Sequence, residues 1–273
     1  TAIEREFVFY KSVGNDNLGT VDFTGYFEPS YRASLTPTAE YRYPIYRKPV
    51  NFEKWSKPHP KRIKLEGKDG LLGKKSILSG HELVWLRDRL EAVLIQVQGS
   101  AKLQLADGST MTVGYDGSTN YAYSSLGKEL VKDGKFKLEE LTLPLVLNYF
   151  QANPSELDEY ISRNDRFIFF RDTQEMLPTG NLSVPVTADR SIATDKSIMP
   201  PGALALIRTN IPEIDNTGKL TNRFVSRYVL DQDTGSAIKG AGRVDIFLGS
   251  GKVAGDRAGM LNSKGELYYL LLK

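Results

Sequence analysis

Residues 226–259, SRYVLDQDTGSAIKGAGRVDIFLGSGKVAGDRAG, set two carboxylates, Asp233 and Asp245, among glycines at positions 235, 240, 242, 249, 251, 255 and 259. Glycine permits tight turns and close approach of chain segments, and such scaffolds hold a carboxyl group at a ligand surface. Aspartate in such a stretch also makes turns through its own backbone hydrogen bonds. From spacing alone, both readings stand. Around the stretch, residues 203–209, 224–230, 244–248 and 267–272 are rich in β-branched, aromatic or aliphatic side chains and read as strands. No helical pattern of comparable length separates the last four strands, so the C-terminal third reads as β structure.

Composition narrows the chemistry. The 273 residues are 40% hydrophobic and 25% charged, a globular balance with enough chain for one large domain or two ordinary ones. No apolar run approaches the roughly 18 residues needed to span a bilayer. The chain begins TAIEREFVFY, without an initiator Met or a signal segment, which fits a mature or trimmed form. Cysteine is absent and the two histidines, His59 and His81, are far apart. Thiolate nucleophiles, Cys-ligated metals and a Ser-His-Asp triad are therefore set aside, and both histidines read as packing or surface residues. Any acid or base must be Asp, Glu, Tyr or Lys. Between Arg42 and Lys75, eleven Lys/Arg face three Asp/Glu, a local balance of +8 against +3 for the whole chain. Without a recognisable nucleic-acid motif, that cluster reads as solvated loop lysines.

Working outward, residues 21–27 (VDFTGYF) form a strand that Pro29 stops. Residues 30–78, with several prolines, read as an irregular surface excursion. Ser79 is expected to cap a short helix through Leu83, Leu86 and Leu90. Residues 92–97 and 101–105 read as strands, and Asp107-Gly108 turns the second into 110–113. On that reading Gln96 and Gln98 alternate on one strand face. Helices are expected at 121–131, 143–151 and 155–162, and a strand at 167–170. β structure at both ends with a mixed middle suits an inserted domain.

With these segments in place the chain resembles the lytic murein transglycosylase A family, including its C-terminal module named for three aspartates. The resemblance rests on FTGYFEP at 23–29, IQVQGS at 95–100, VGY at 113–115 with Asn120 and Tyr123, LGK at 126–128, NDRFIFFR at 164–171, RSIATD at 190–195 running to PPG at 200–202, DTGSAIKG at 233–240 and VDIF at 244–247 with GSG at 249–251. It departs from the usual pattern in places, small for small, at Ala101 and Ser236. The resemblance implies a mainly β fold: a double-ψ β-barrel of residues 1–30 and 180–273, and an inserted second β-rich domain of residues 31–179 with a few helices. The glycan would bind in a groove between the two. It implies cleavage of peptidoglycan between N-acetylmuramic acid and N-acetylglucosamine without water, leaving a 1,6-anhydro end. It implies an extracytoplasmic enzyme, periplasmic and often anchored to the outer membrane, that acts as a monomer on glycan strands, with no nucleic acid, metal or cofactor.

The family's three aspartates map onto Asp195, Asp233 and Asp245, the catalytic one onto Asp245. A single carboxyl then donates to the leaving oxygen and accepts from the attacking C6 hydroxyl, which requires a raised pKa from burial or from a neighbouring Asp233. Asp195, before the Pro-Pro-Gly turn, reads as structural. Thr24, Gly25, Tyr26, Gln96, Gln98, Gly99, Ser100, Tyr115 and Lys239 are the expected substrate contacts. Three other readings stand beside this one. Asp233-Thr-Gly-Ser looks like an aspartic-protease turn, although no second Asp-Thr/Ser-Gly exists. A barrel that binds wall glycan without turning it over is the second, and a conventional hydrolase on the same barrel, leaving a reducing end, is the third.

Overall fold

A computed structural model describes residues 2–273, so the expected N-terminal segment begins one residue outside the described chain. Two units divide it: the chain up to Phe27 together with Leu177–Lys273, and Glu28–Met176. The chain starts with helix α1 (Ala2–Glu6) and strands β1 (Phe7–Lys11) and β2 (Val21–Glu28). The insertion supplies β3 (Ser30–Ser34), β4 (Tyr43–Tyr46), α2 (Arg62–Glu66), β5 (Glu82–Leu86), α3 (Arg89–Gln98), β6 (Ser100–Leu105) and β7 (Thr110–Ser118). It continues with α4 (Leu126–Lys132), α5 (Leu143–Ala152), α6 (Leu157–Ser162) and β8 (Ile168–Asp172). The return supplies β9 (Ser191–Ala193), β10 (Leu204–Ile214), β11 (Leu220–Asp233), β12 (Arg243–Ser250), α7 (Gly251–Met260) and β13 (Asn262–Leu272).

In the first unit six strands close a ring, β13-β10-β11-β9-β12-β2, with β2 pairing back onto β13 and β1 added to β13. Closure depends on the length of β13: its first residues pair with β2, as in Asn262 with Thr24, its middle with β10, and its last with β1. A closed ring leaves those strands no exposed edge. Successive side chains in a strand point to opposite faces. Val21 and Phe23 of β2, Val244, Ile246 and Leu248 of β12, Ile192, Ile207 and Leu267 therefore fill the core, while the residues between them face outward.

The second unit is a six-stranded sheet, β4-β5-β3-β6-β7-β8. Helix α3 is sandwiched: Ala92 and Ile95 pack with the sheet residues, and Leu90, Val93 and Leu94 with α4, α5 and α6. Fully burying one such aliphatic side chain is worth about 2 kcal/mol, so helix and sheet stabilise each other.

Several local expectations are corrected. Residues 92–97 are helical because a helix buried on two sides is apolar nearly all round and loses the polar stripe that marks its period. The start signal is Asp88, whose Oδ1 accepts the Leu90 N–H at 2.7 Å, and Gly99 ends the helix at φ 83°. Ser79 caps no helix: residues 82–86 are β5, paired on both edges, and Leu90 belongs to α3. The 30–78 excursion contains β3, β4 and α2; Pro44 sits on edge strand β4, where its missing N–H is tolerated. The helix expected from 121 begins at Leu126. Helix α7 interrupts the C-terminal strands, its glycines having read as turns. Gly255 is needed there for packing, since a Cβ would lie 2.8 Å from the Phe27 ring.

Candidate active site

Strand alternation places the site on the outer surface of the barrel. With Val244 and Ile246 committed to the core, Arg243 and Asp245 share the outward face of β12. Neighbouring β2, with Val21 and Phe23 inward, turns Thr24 and Tyr26 the same way. The Arg243 guanidinium donates to Thr24 Oγ1 at 3.0 Å and lies 3.6 Å from Asp245 Oδ1. The Tyr26 ring packs on Phe247 of β12 with centroids 5.2 Å apart.

Asp233 reaches this face through an irregularity. Asp231 pairs with Ile192 and faces the core, and in a regular strand Asp233 would do likewise. A register shift between Asp231 and Asp233 brings Asp233 opposite Ala193 instead. Ala193 pairs on its other edge with Asp245. The two aspartates thus flank one residue of β9, about 10 Å apart along the hydrogen-bonding direction. Bulges re-aim side chains in this way beside functional sites.

The two carboxylates differ in their partners. Asp233 accepts from the Tyr26 hydroxyl at 2.8 Å, the Asn181 N–H at 3.0 Å and the Thr234 N–H at 2.8 Å. Burial still raises its pKa above the usual carboxylate value against those donors. Asp245 Oδ1 is buried without a hydrogen-bond donor among the described residues, while the side chain as a whole keeps 22% exposure. Burial pushes the Asp245 carboxyl up to about 6; Arg243 opposes the shift and the Asp233 charge adds to it. An acid at that value holds its proton in mildly acidic solution and can release it, as general acid–base work requires. Burial and the Asp233 charge together hold the Tyr26 phenol well above its ordinary range, so it stays a donor.

Asp195 belongs to a different cluster. Its Oδ1 accepts from the Ser197 N–H at 3.1 Å and hydroxyl at 2.7 Å, and its Oδ2 from the Gly240 N–H at 2.9 Å. These bonds hold its pKa down at about 2. Lys239 is exposed, with Nζ 3.7 Å from Asp195 Oδ1. Gly25 is explained by packing: a Cβ there would lie 3.0 Å from the Ala258 backbone.

In the inserted unit the QVQGS run forms the end of α3 and the first residue of β6, not a strand face. Gln96 is buried, and its Oε1 accepts from the Arg62 guanidinium at 2.6 Å. Arg62, 1% exposed, also donates to the carbonyls of Asn164 and Arg166 and to Glu66. Gln98, Gly99 and Ser100 are half-buried, and Tyr115 on adjacent β7 is exposed. His59 is packed on Phe52 and Trp55. Among the described residues no group of three His, Asp or Glu is arranged to hold a metal ion, and no helix is long and apolar enough to cross a membrane.

Comparison with known proteins matches residues 22–171 to the MltA specific insert domain and residues 190–271 to the 3D domain. The first match alone spans more than half of the chain. This chain belongs to the lytic murein transglycosylase A family. The membrane-bound lytic murein transglycosylase A of Escherichia coli K12 is 34% identical over 263 residues, 94% of this chain and 67% of that protein. The Vibrio cholerae protein of the same name is 29% identical over 262 residues, 95% and 68% of the two chains. The crystal structure of E. coli MltA with bound chitohexaose superposes with a TM-score of 0.80 at 31% identity, covering 97% of this chain and 75% of that one. An Agrobacterium tumefaciens membrane-bound lytic murein transglycosylase superposes at 0.82 with 27% identity, covering 99% and 77%.

Within this transglycosylase-family barrel, sequence reading passed over Arg243, Asp231 and Tyr269. Arg243 had a usable signal, lying two residues before Asp245 and hence on the same strand face. Asp231 and Tyr269 had none, because nothing local distinguishes a buried polar group from an outward one.

Proposed function

We propose that the chain is a peptidoglycan lytic transglycosylase that cleaves the β-1,4 bond between N-acetylmuramic acid and N-acetylglucosamine, with Asp245 as acid and then base. The observation that carries this reading is the Asp245 carboxyl, raised to about 6 with a buried oxygen free of donors. Asp245 gives its proton to the leaving glycosidic oxygen as the C1–O4 bond breaks. The resulting carboxylate takes the proton of the muramic C6 hydroxyl as O6 bonds to C1. The result is a 1,6-anhydro end with no water consumed and the acid restored. Hydrolases need a second free carboxylate for water or for covalent attack. Asp233, held by three donors, is instead the charge that helps keep Asp245 protonated.

Arg243 balances the carboxylate formed after proton transfer and orients Thr24 toward sugar hydroxyls. Gln98, Gly99, Ser100 and Tyr115 contribute glycan contacts from the inserted unit, and Gln96 positions that turn through Arg62. Lys239 and Asp195 shape the loop after Asp233, and Gly25 admits α7 against β2. The reading carries with it the double-ψ connectivity of the barrel, an extracytoplasmic, periplasmic location beside the substrate, and action as a monomer. Digesting purified peptidoglycan with the native chain and with Asp245→Asn tests it by product mass. Anhydro-ended muropeptides from the native chain alone are expected; reducing ends one water heavier, or full turnover by Asp245→Asn, overturn it.

A further inference from the structure

Behind the outward face lies a charged group that this chemistry does not use. Asp231 is fully buried in the barrel. Its Oδ2 accepts from the Tyr269 hydroxyl of β13 at 2.6 Å and the Thr194 hydroxyl at 2.7 Å, and its Oδ1 pairs with the Lys196 ammonium. Lys196 also donates to Thr194 Oγ1 at 2.8 Å. A buried ion pair is a poor source of stability, since well-packed apolar groups of the same volume often serve as well; what it supplies is one defined arrangement. Here the arrangement concerns the bulge. The Thr194 N–H donates to the Asp233 carbonyl at 3.2 Å, and the Thr234 hydroxyl donates to the Thr194 carbonyl at 2.9 Å. The residue that Asp231 grips by its side chain therefore holds the chain immediately after Asp233 at two points, the Asp233 carbonyl and the Thr234 hydroxyl.

We infer that the Lys196–Asp231–Thr194–Tyr269 cluster is a positioning device for catalysis, locking the β9–β11 bulge so that Asp233 stands on the outward face beside Asp245. The inference rests on the proposed role of Asp245. Without the lock, β11 returns to regular register, Asp233 turns toward the core, and Asp245 loses the like charge that helps keep it protonated. The groups facing Asp245 are then Arg243 from β12 and Tyr26 from β2. Apart from the Tyr26 hydroxyl, which loses its acceptor, the expected substrate contacts are untouched, so kcat falls far more than KM changes.

The test compares Tyr269→Phe, which removes one donor and keeps the core ring, with Asp231→Asn and the native chain. Each is assayed on purified peptidoglycan across pH, with the folded fraction measured by circular dichroism. Displacing a catalytic group by about 1 Å costs up to about a hundredfold. A drop in kcat of about tenfold or more per folded molecule is expected for Asp231→Asn, with a smaller drop for Tyr269→Phe. In both, KM should stay within about twofold, a change smaller than the loss of one binding hydrogen bond. The alkaline limb should move to lower pH. Native kcat and limb in folded variants overturn the inference, as does a loss explained wholly by unfolded protein; if Asp231→Asn fails to fold, Tyr269→Phe decides. Asp245→Asn in the same assay separates the two claims, because retained turnover there sinks the catalytic reading itself.

Discussion

Asp245 and Asp195 are the same side chain held in two regions of one barrel, and they end as acids of very different strength. The Asp195 side chain is 8% exposed and that of Asp245 22%, yet Asp195 is the stronger acid, near 2 against about 6. The dominant causes differ: burial raises Asp245, whose Oδ1 no donor reaches, whereas at Asp195 three hydrogen bonds outweigh burial and stabilise the anion. Burial disfavours a carboxylate's charge and donors to its lone pairs oppose it, so the balance decides, and at Asp233 burial wins even against three donors. The Asp195 loop matches its lone pairs and becomes a fixed anchor; strand β12 leaves those of Asp245 Oδ1 unmatched and keeps a titratable group.

The sharpest way to break that contrast is to remove each acid in turn. Asp245→Asn should lower kcat by about a thousandfold, the scale of a general acid. Asp195→Asn should leave a measurable rate with its pH dependence unchanged, and equal losses in the two variants would dissolve the distinction. Next, Asp233→Asn removes the like charge beside Asp245. A loss of roughly thirtyfold is expected, within the range for a group that tunes an acid, together with movement of the alkaline limb to lower pH. A limb that stays in place would mean that burial alone sets Asp245.

Stability should show the same contrast with opposite signs. Below about pH 4, Asp245 is protonated in folded and unfolded chains alike and costs nothing. As pH rises toward 6 the folded state holds a proton the unfolded chain has lost, so stability falls, by on the order of 2 kcal/mol once pH exceeds 6. Urea unfolding should therefore find Asp245→Asn more stable than the native chain at pH 7.5 and equal to it at pH 3.5. Asp195, with its pKa lowered, stabilises above the ordinary carboxylate range, and that contribution disappears as pH falls through about 2. The smallest effect expected is that of Gly25→Ala. Its Cβ would press on the Ala258 backbone beside β2, costing about 1–2 kcal/mol as overpacking does and loosening the Tyr26 grip on Asp233. A thermal midpoint equal to that of the native chain would show that α7 yields freely.

Local sequence was a good guide where one face of an element is wet. Strand β2, the Asp107-Gly108 hairpin, α5 and the long C-terminal strands all carry period or turn signals that survive without context. It misled where burial is two-sided or glycine serves packing. Helix α3 read as a strand because sheet and helices cover it together, and α7 read as turns because its glycines admit Phe27. Strand β9 is three residues long, too short to register a period, although both aspartates are placed by it.

By itself, then, the sequence determined the family, the absence of cysteine and histidine chemistry, and which carboxylates to consider, because residue types and motif order are written directly in the chain. Tertiary structure alone decided which carboxyl keeps its proton. That depends on a bulge, a shared partner strand and the count of donors reaching each oxygen, contacts made by residues up to about two hundred positions apart, and no local spacing encodes them.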